Sequence, residues 1–220
     1  MDVDKPRFSA IGMSGLLFDV GGPSYAQDVQ DRLHGMAAGL RGAKGLREVV
    51  PGMNNLMAEA DPDVIDPGTL RDLLQDAWAR AEAVGGGGRA VEVPVVYGGP
   101  DAPDVDPWAA HCGLTPEQAI ARHAAGSYRV AALGAMPGFP YLAGLDPSLA
   151  MPRREVPRSV VPKGAVIIGG AQAGIMPLTL PSGWHIIGMT DVALFDPAAE
   201  DPVLLRPGDT VRFVDRAGPE

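Results

Sequence analysis

The sequence predicts an α+β chain in two domains, and three observations carry that expectation. Between Phe8 and Trp78 the apolar residues alternate between strand-like runs and helical spacing, in the order β-α-β-β-α. Gly85 to Gly88 are consecutive glycines, and four together cost too much backbone entropy to sit inside a regular element. Beyond Tyr128 the apolar period shortens to two, in β-branched runs broken by proline and glycine turns. The boundary is placed at the glycine seam, giving domains over 1–88 and 89–220, each close to the usual domain size of roughly 100–150 residues.

The first domain opens with Phe8 to Ile11 and Leu16 to Val20, read as two strands or one interrupted hairpin. A helix follows. Ser24 is its expected cap, Gln27 three residues on is the other half of a capping box, and Val29, Leu33, Met36 and Leu40 share one face. Gly42 and Gly45 end it. Leu46 to Val50 and Asn55 to Ala60 form a hairpin with its tight turn at Pro51-Gly52, a pair that fixes one φ and frees the next. Asp66 caps a second helix with Pro67 at its first position, and Leu70, Leu73, Leu74, Ala77 and Trp78 make its buried face. One closing strand would complete a split βαβ, ferredoxin-like arrangement with both helices on one side of the sheet.

After the seam, Gly85-x-Gly87-x-x-Ala90 fits the relaxed dinucleotide fingerprint, but strand-like Val91 to Tyr97 follows where that motif requires a helix, so the match is accidental. Asp106 and Pro107 open a short helix, and Thr115, Pro116 and Gln118 form a capping box for another that reaches Ala125. The strands beyond are separated by turns at Pro162-Lys163-Gly164, Pro181-Ser182-Gly183 and Pro207-Gly208. Short strands at this spacing suggest a closed barrel or a sandwich.

Composition narrows the function. At 46% hydrophobic and 20% charged residues the chain can bury a core. Its apolar runs, such as Ala165 to Ile168, fall far short of the roughly 20 residues that cross a bilayer. The start Met-Asp-Val-Asp-Lys-Pro lacks the basic and apolar regions of a secretory signal, so a cytoplasmic location without membrane association is expected. A net charge of −9 argues against nucleic-acid partners. Cys112 is the single cysteine, which leaves neither an internal disulfide nor a cysteine-based zinc cluster. No Walker loop, Gly-x-Ser-x-Gly elbow or His-Glu-x-x-His helix is present, and no metal site is expected.

The densest unusual segment is Gly134 to Leu142, where Gly138 and three prolines or glycines around it stiffen a loop carrying Phe139 and Tyr141. The rings read either as the wall of a ligand cleft or as plugs at a barrel corner. Arg153, Arg154, Arg158 and Lys163 follow, four of the eighteen Lys and Arg, as an anion site or as a charged strand edge. The amide of Gln172 either contacts a ligand or satisfies backbone groups at a glycine-rich bend. The four histidines show no ligand spacing. His34 lies on the first helix, His123 near a helix end where a cation suits the dipole, and His185 in an expected strand. His111, beside Cys112 and Gly113, is the candidate acid or base.

Six ordered motifs run through the second domain: Pro137-Gly-Phe-Pro-Tyr-Leu142, Pro152-Arg-Arg154, Val161-Pro-x-Gly164, Gly170-x-Gln-x-Gly-Ile-x-Pro177, Gly183-Trp-x-x-Ile-Gly188 and Leu205-Arg-Pro-Gly-Asp-x-Val-x-Phe213. With Val93 to Gly99 and Ala110 to Leu114 upstream, they resemble the family of 5-oxoprolinase B subunits, also called allophanate hydrolase subunit 1 or the sporulation-kinase-inhibitor family. The resemblance implies a ferredoxin-like domain followed by a cyclophilin-like β-barrel. It also implies one member of a hydrolase complex, working with a C-subunit homologue of the allophanate hydrolase subunit 2 type and with an A subunit. Together these open 5-oxoproline to glutamate with ATP, which a partner mainly binds. Related modules occur within urea carboxylase, and one branch inhibits a histidine kinase.

On this reading the barrel cleft receives a small carboxylate or amide substrate through Gly138, Phe139, Tyr141, Arg153, Arg154 and Gln172, and little activity is expected from the chain alone. The sequence departs from the family pattern at Ala135, Ala173, Met176, Ser182, Met189 and Asp191. The pattern commonly has an aromatic residue at the first of these, an arginine, a tyrosine and a threonine among the others, and a serine where Leu180 stands. Their loss removes hydrogen-bond donors that a polar substrate would use.

Overall fold

A computed structural model describes residues 6–22, 25–84 and 87–216. The chain divides into two compact units, Met1–Gly87 and Gly88–Glu220. In the first, β1 (Arg7–Ile11) and β2 (Gly15–Asp19) precede α1 (Gln27–Leu40), then β3 (Leu46–Pro51), β4 (Asn55–Ala60) and α2 (Pro67–Arg80). The sheet is antiparallel in the order β1-β2-β4-β3. Elements β2-α1-β3-β4-α2 are the split βαβ core, and its closing strand is β1, which comes before it in the chain. A local hairpin supplies that edge: Phe8 pairs with Phe18 across a turn at Gly12, where φ is +61°.

Phe18, Leu56 and Ala58 on one sheet face pack with Leu33, Met36, Leu74 and Trp78 from the helices. Asp66 caps α2 as expected, accepting from the N–H groups of Gly68 and Thr69. The start of α1 differs. Ser24 lies outside the described residues, and Gln27 is the first helical residue behind Ala26 rather than the third, so its amide bonds Tyr25 and Asp31 sideways and makes no capping box. The β3–β4 turn also moves. Pro51 stays in the strand opposite Leu56, and the tight turn falls on Met53-Asn54, with Asn54 at φ +55°. Buried Gln30 holds it there, accepting from the Asn54 N–H at 2.7 Å and donating to the Gly52 carbonyl at 2.9 Å.

The second unit contains β5 (Ala90–Tyr97), α3 (Val105–His111), α4 (Pro116–Ala125), β6 (Tyr128–Leu133), β7 (Pro140–Ala143), β8 (Arg158–Val161), β9 (Ala165–Gly169), β10 (Gln172–Ile175), β11 (Leu180–Ser182), β12 (His185–Met189) and β13 (Thr210–Asp215). Seven strands close a barrel in the order β10-β7-β6-β13-β5-β12-β9, so the α+β class with a C-terminal barrel holds. Strands β8 and β11 pair with each other as a separate ribbon. Pro181 and Ser182 thus sit in a strand and not in the expected turn. Fully buried Val93, Leu142, Ile168, Ile175 and Val211 fill the interior. Thr115 and Gln118 form the capping box of α4, while α3 begins at Val105, one residue ahead of Asp106.

His123 is not the helix-end cation that its position in the sequence suggests. It is fully buried, stacked on Phe213 at 4.6 Å and flanked by Tyr128 and Trp108, with Nδ1 2.7 Å from the Tyr97 hydroxyl. Burial pushes its pKa from 6.5 down to about 3, so the ring is neutral. Among the described residues no helix is long and apolar enough to cross a membrane.

Candidate functional site

The loop between β6 and β7, the segment leading into β8, and the β11–β12 connection meet around a cleft of about 310 Å³. Three aromatic rings form its wall. Phe139 stands edge-on to Tyr141 at 5.1 Å and to Trp184 at 5.8 Å. Two strand glycines make room for them. A Cβ on Gly169 would lie 2.5 Å from the Trp184 ring and one on Gly174 2.9 Å from Phe139, so the rings lie against bare backbone of β9 and β10. Phe139 is buried in a core cluster with Met176 and Ile167, as a barrel-corner plug would be, and one side of it also lines the cleft.

The arginines divide the polar side between them. The Arg153 guanidinium lies over the Trp184 ring, 5.4 Å from its centroid. Arg154 lines the cleft, and its backbone N–H donates to the Gly183 carbonyl at 2.8 Å. Arg158 does not line the cleft and donates through both terminal nitrogens to Asp104, at 2.6 and 2.8 Å. Asp104 also accepts the Ile186 N–H at 2.7 Å. Burial works to raise the Asp104 pKa, but the Arg158 and Ile186 hydrogen bonds outweigh it and hold the carboxyl below its ordinary value.

Phe139, Tyr141, Arg153 and Arg154 therefore come together as the sequence led us to expect. Three other candidates lie elsewhere. Gly138, at φ +76°, backs onto Leu194 and Phe195. Gln172 opens β10 opposite Gly169 and does not line the cleft. His111 is exposed at the end of α3, away from these rings. Lys163 stands apart from the cleft too, its backbone N–H taken by the Thr179 hydroxyl.

Of the departures, Ala135, Met176 and Ser182 line the cleft, and Ala135 does so with φ at +61°. Ala173 is core, Met189 packs beside the cleft cluster, and Asp191 pairs with Arg216 at 3.7 Å on the surface. Asp104 escaped the sequence reading because an aspartate ahead of a helix looks like a cap; the signal that points to it is a cluster of arginines needing a buried counter-charge. Among the described residues no group of three His, Cys, Asp or Glu is placed to hold a metal ion. A larger groove of about 500 Å³ runs along α1 and α2, lined mostly by small and apolar residues such as Gly35, Gly39, Leu73 and Ala77, with Arg80 and Glu82 as its charged groups.

A two-unit chain ending in such a barrel has a known counterpart. The crystal structure of the Kluyveromyces lactis urea amidolyase superimposes with a TM-score of 0.81 over 99% of this chain and 15% of that one, at 19% identity, so the two share a fold. Sequence goes further: residues 6–205 match the family described as carboxyltransferase domain, subdomain C and D, and the chain belongs to that family. The 5-oxoprolinase B subunit of Escherichia coli O157:H7 is 41% identical over 213 residues, which is 96% of this chain and 97% of that protein. The crystal structure of TTHA0988 is 39% identical with a TM-score of 0.80; the match covers 93% of this chain but only 40% of that longer one.

Proposed function

We propose that the chain is the B subunit of an ATP-dependent 5-oxoprolinase that opens 5-oxoproline to glutamate in the cytoplasm, together with an A subunit and a C-subunit homologue. The observation that carries this reading is the end-to-end correspondence with the Escherichia coli B subunit, 41% identical with nearly the whole of both chains aligned. The cleft suits it chemically. Arg154 and Arg153 offer guanidinium donors for the 5-oxoproline carboxylate, and the ring wall of Phe139, Tyr141 and Trp184 fits the flat apolar face of a lactam. The reaction adds water across the lactam C–N bond, with ATP activating the carbonyl. Because the cleft lacks a recognised nucleophile and the chain lacks a P-loop, the partners supply ATP handling and the remaining catalytic groups.

Omission of this chain from a mixture with its A-type and C-type partners is expected to abolish 5-oxoproline-dependent ATP hydrolysis and glutamate release. Glutamate formation that continues unchanged without it would remove the assignment. A urea or allophanate pathway is the second reading, favoured by the fold shared with the urea amidolyase and with a urea carboxylase at 17% identity. Turnover of allophanate in place of 5-oxoproline in the same mixture would select it.

A further inference from the structure

A buried aspartate among the cleft arginines calls for an explanation, because a buried ion pair adds little stability over apolar packing of the same volume. The Asp104 side chain is only 5% exposed. One of its oxygens, Oδ2, is filled by Arg158 at 2.6 Å and by the Ile186 N–H at 2.7 Å. The other, Oδ1, is shared: Arg158 donates to it at 2.8 Å, and Arg154 Nη1 lies 3.6 Å away. Arg154 is thus held at two points, by Asp104 at the guanidinium and by Gly183 at the backbone. Its buried Nε nevertheless has no hydrogen-bond partner. Charge points the same way. One aspartate between two arginines leaves one positive charge uncompensated, and Arg158 already spends both terminal nitrogens on the carboxylate.

We propose that Asp104 is a positioning residue that absorbs the charge of Arg158 and holds Arg154 ready for a single carboxylate in the cleft. The identity of that carboxylate rests on the 5-oxoprolinase reading; the arrangement of the three side chains does not. A ligand carboxylate in the cleft would meet the part of Arg154 that stays exposed, about a third of the side chain, and a displaced guanidinium would lose that match.

The test is the double variant Asp104→Asn with Arg158→Met in the full-length chain. Asparagine keeps an acceptor for the Ile186 N–H and methionine keeps much of the Arg158 stem volume, so the fold is retained where either single change leaves a buried group unpaired. Two readouts are taken: the Arg154 Nε–Hε signal in nitrogen-15 NMR, assigned by its loss in Arg154→Lys, and the steady-state kinetics of the reconstituted complex. The expected result is an Arg154 signal that moves to faster solvent exchange, with KM for 5-oxoproline rising on the order of tenfold and kcat changing by less than about twofold. An unmoved Arg154 signal in a folded variant would show that Asp104 merely neutralises Arg158, and would overturn the proposal whatever the kinetics. So would a moved signal with an unchanged KM. If the wild-type complex does not turn over 5-oxoproline, the functional reading fails, while the NMR result still decides the role of Asp104.

Discussion

Replacing Gly164 by alanine is expected to lower the melting temperature of the barrel unit by roughly 10–20 °C. Gly164 closes the turn into β9 with φ at +85°, and a Cβ there would sit 2.2 Å from the Thr190 carbonyl oxygen. The neighbouring backbone cannot move away cheaply. The Gly164 N–H donates to the Met176 carbonyl at 2.8 Å and its own carbonyl accepts from the Thr190 N–H at 2.9 Å, tying the turn to the chain beyond β10 and β12. The left-handed conformation costs an alanine about 1–2 kcal/mol, and overpacking against fixed atoms adds about 1–3 kcal/mol. Gly170→Ala separates the two effects, since φ there is +65° but nothing lies within 4 Å of a built Cβ. Thermal unfolding followed by circular dichroism should show a shift for Gly170→Ala less than half that of Gly164→Ala. Equal shifts would mean that the approach to Thr190 costs nothing.

Acidification from pH 6.5 to 4.5 is expected to cost about 2.3 kcal/mol through His123 alone. The sign follows from the two states. In the unfolded chain the imidazole has its ordinary pKa of 6.5, whereas burial in the fold depresses it to about 3. Below pH 6.5 the unfolded state therefore binds a proton that the native state refuses, and the fall in stability steepens to about 1.4 kcal/mol per pH unit until the folded value is approached. Asp104 and Asp209 sit below the ordinary carboxylate value, so what they contribute is lost only at more acidic pH. His123→Asn keeps a polar group near the Tyr97 hydroxyl without a titrating ring. Urea unfolding at both pH values should show this part of the acid loss disappear in the variant. An undiminished loss would assign the effect to other groups.

Much of this architecture could be read from local chemistry. The Asp66-Pro67 and Thr115-Pro116-x-Gln118 starts are legible because each cap and its partners lie within a few residues. The barrel strands follow from period and turns for the same reason. What escaped the reading depends on distant neighbours. The role of Asp104 is set by Arg158, 54 residues away, and by Ile186, 82 residues away, and no spacing rule reaches so far. The β3–β4 turn shifted because Gln30, on a helix, bonds its backbone. The closing strand of the first unit was left unassigned, although Phe8 to Ile11 read as a strand, because the element order alone does not say which end of the chain supplies it.

Within the cleft, residue types were better guides than the details of geometry. Phe139, Tyr141, Arg153 and Arg154 are drawn together by the β6–β7 loop and the segment before β8, and their sequence motifs already stood out. Gln172 shares a motif with Met176 yet does not line the cleft, because it stands at the opposite end of β10, paired with Gly169. The seats at Gly169 and Gly174 were invisible because a glycine in a strand gives no sign of which ring will lie upon it.

Binding of the substrate carboxylate in this cleft is tested most directly by KM for 5-oxoproline in the reconstituted complex carrying Arg154→Ala, with assembly checked by co-elution of its components. Loss of a charge-assisted hydrogen bond predicts a KM increase of roughly 10–100-fold in an intact complex. An intact complex with unchanged KM would place substrate binding outside the barrel cleft.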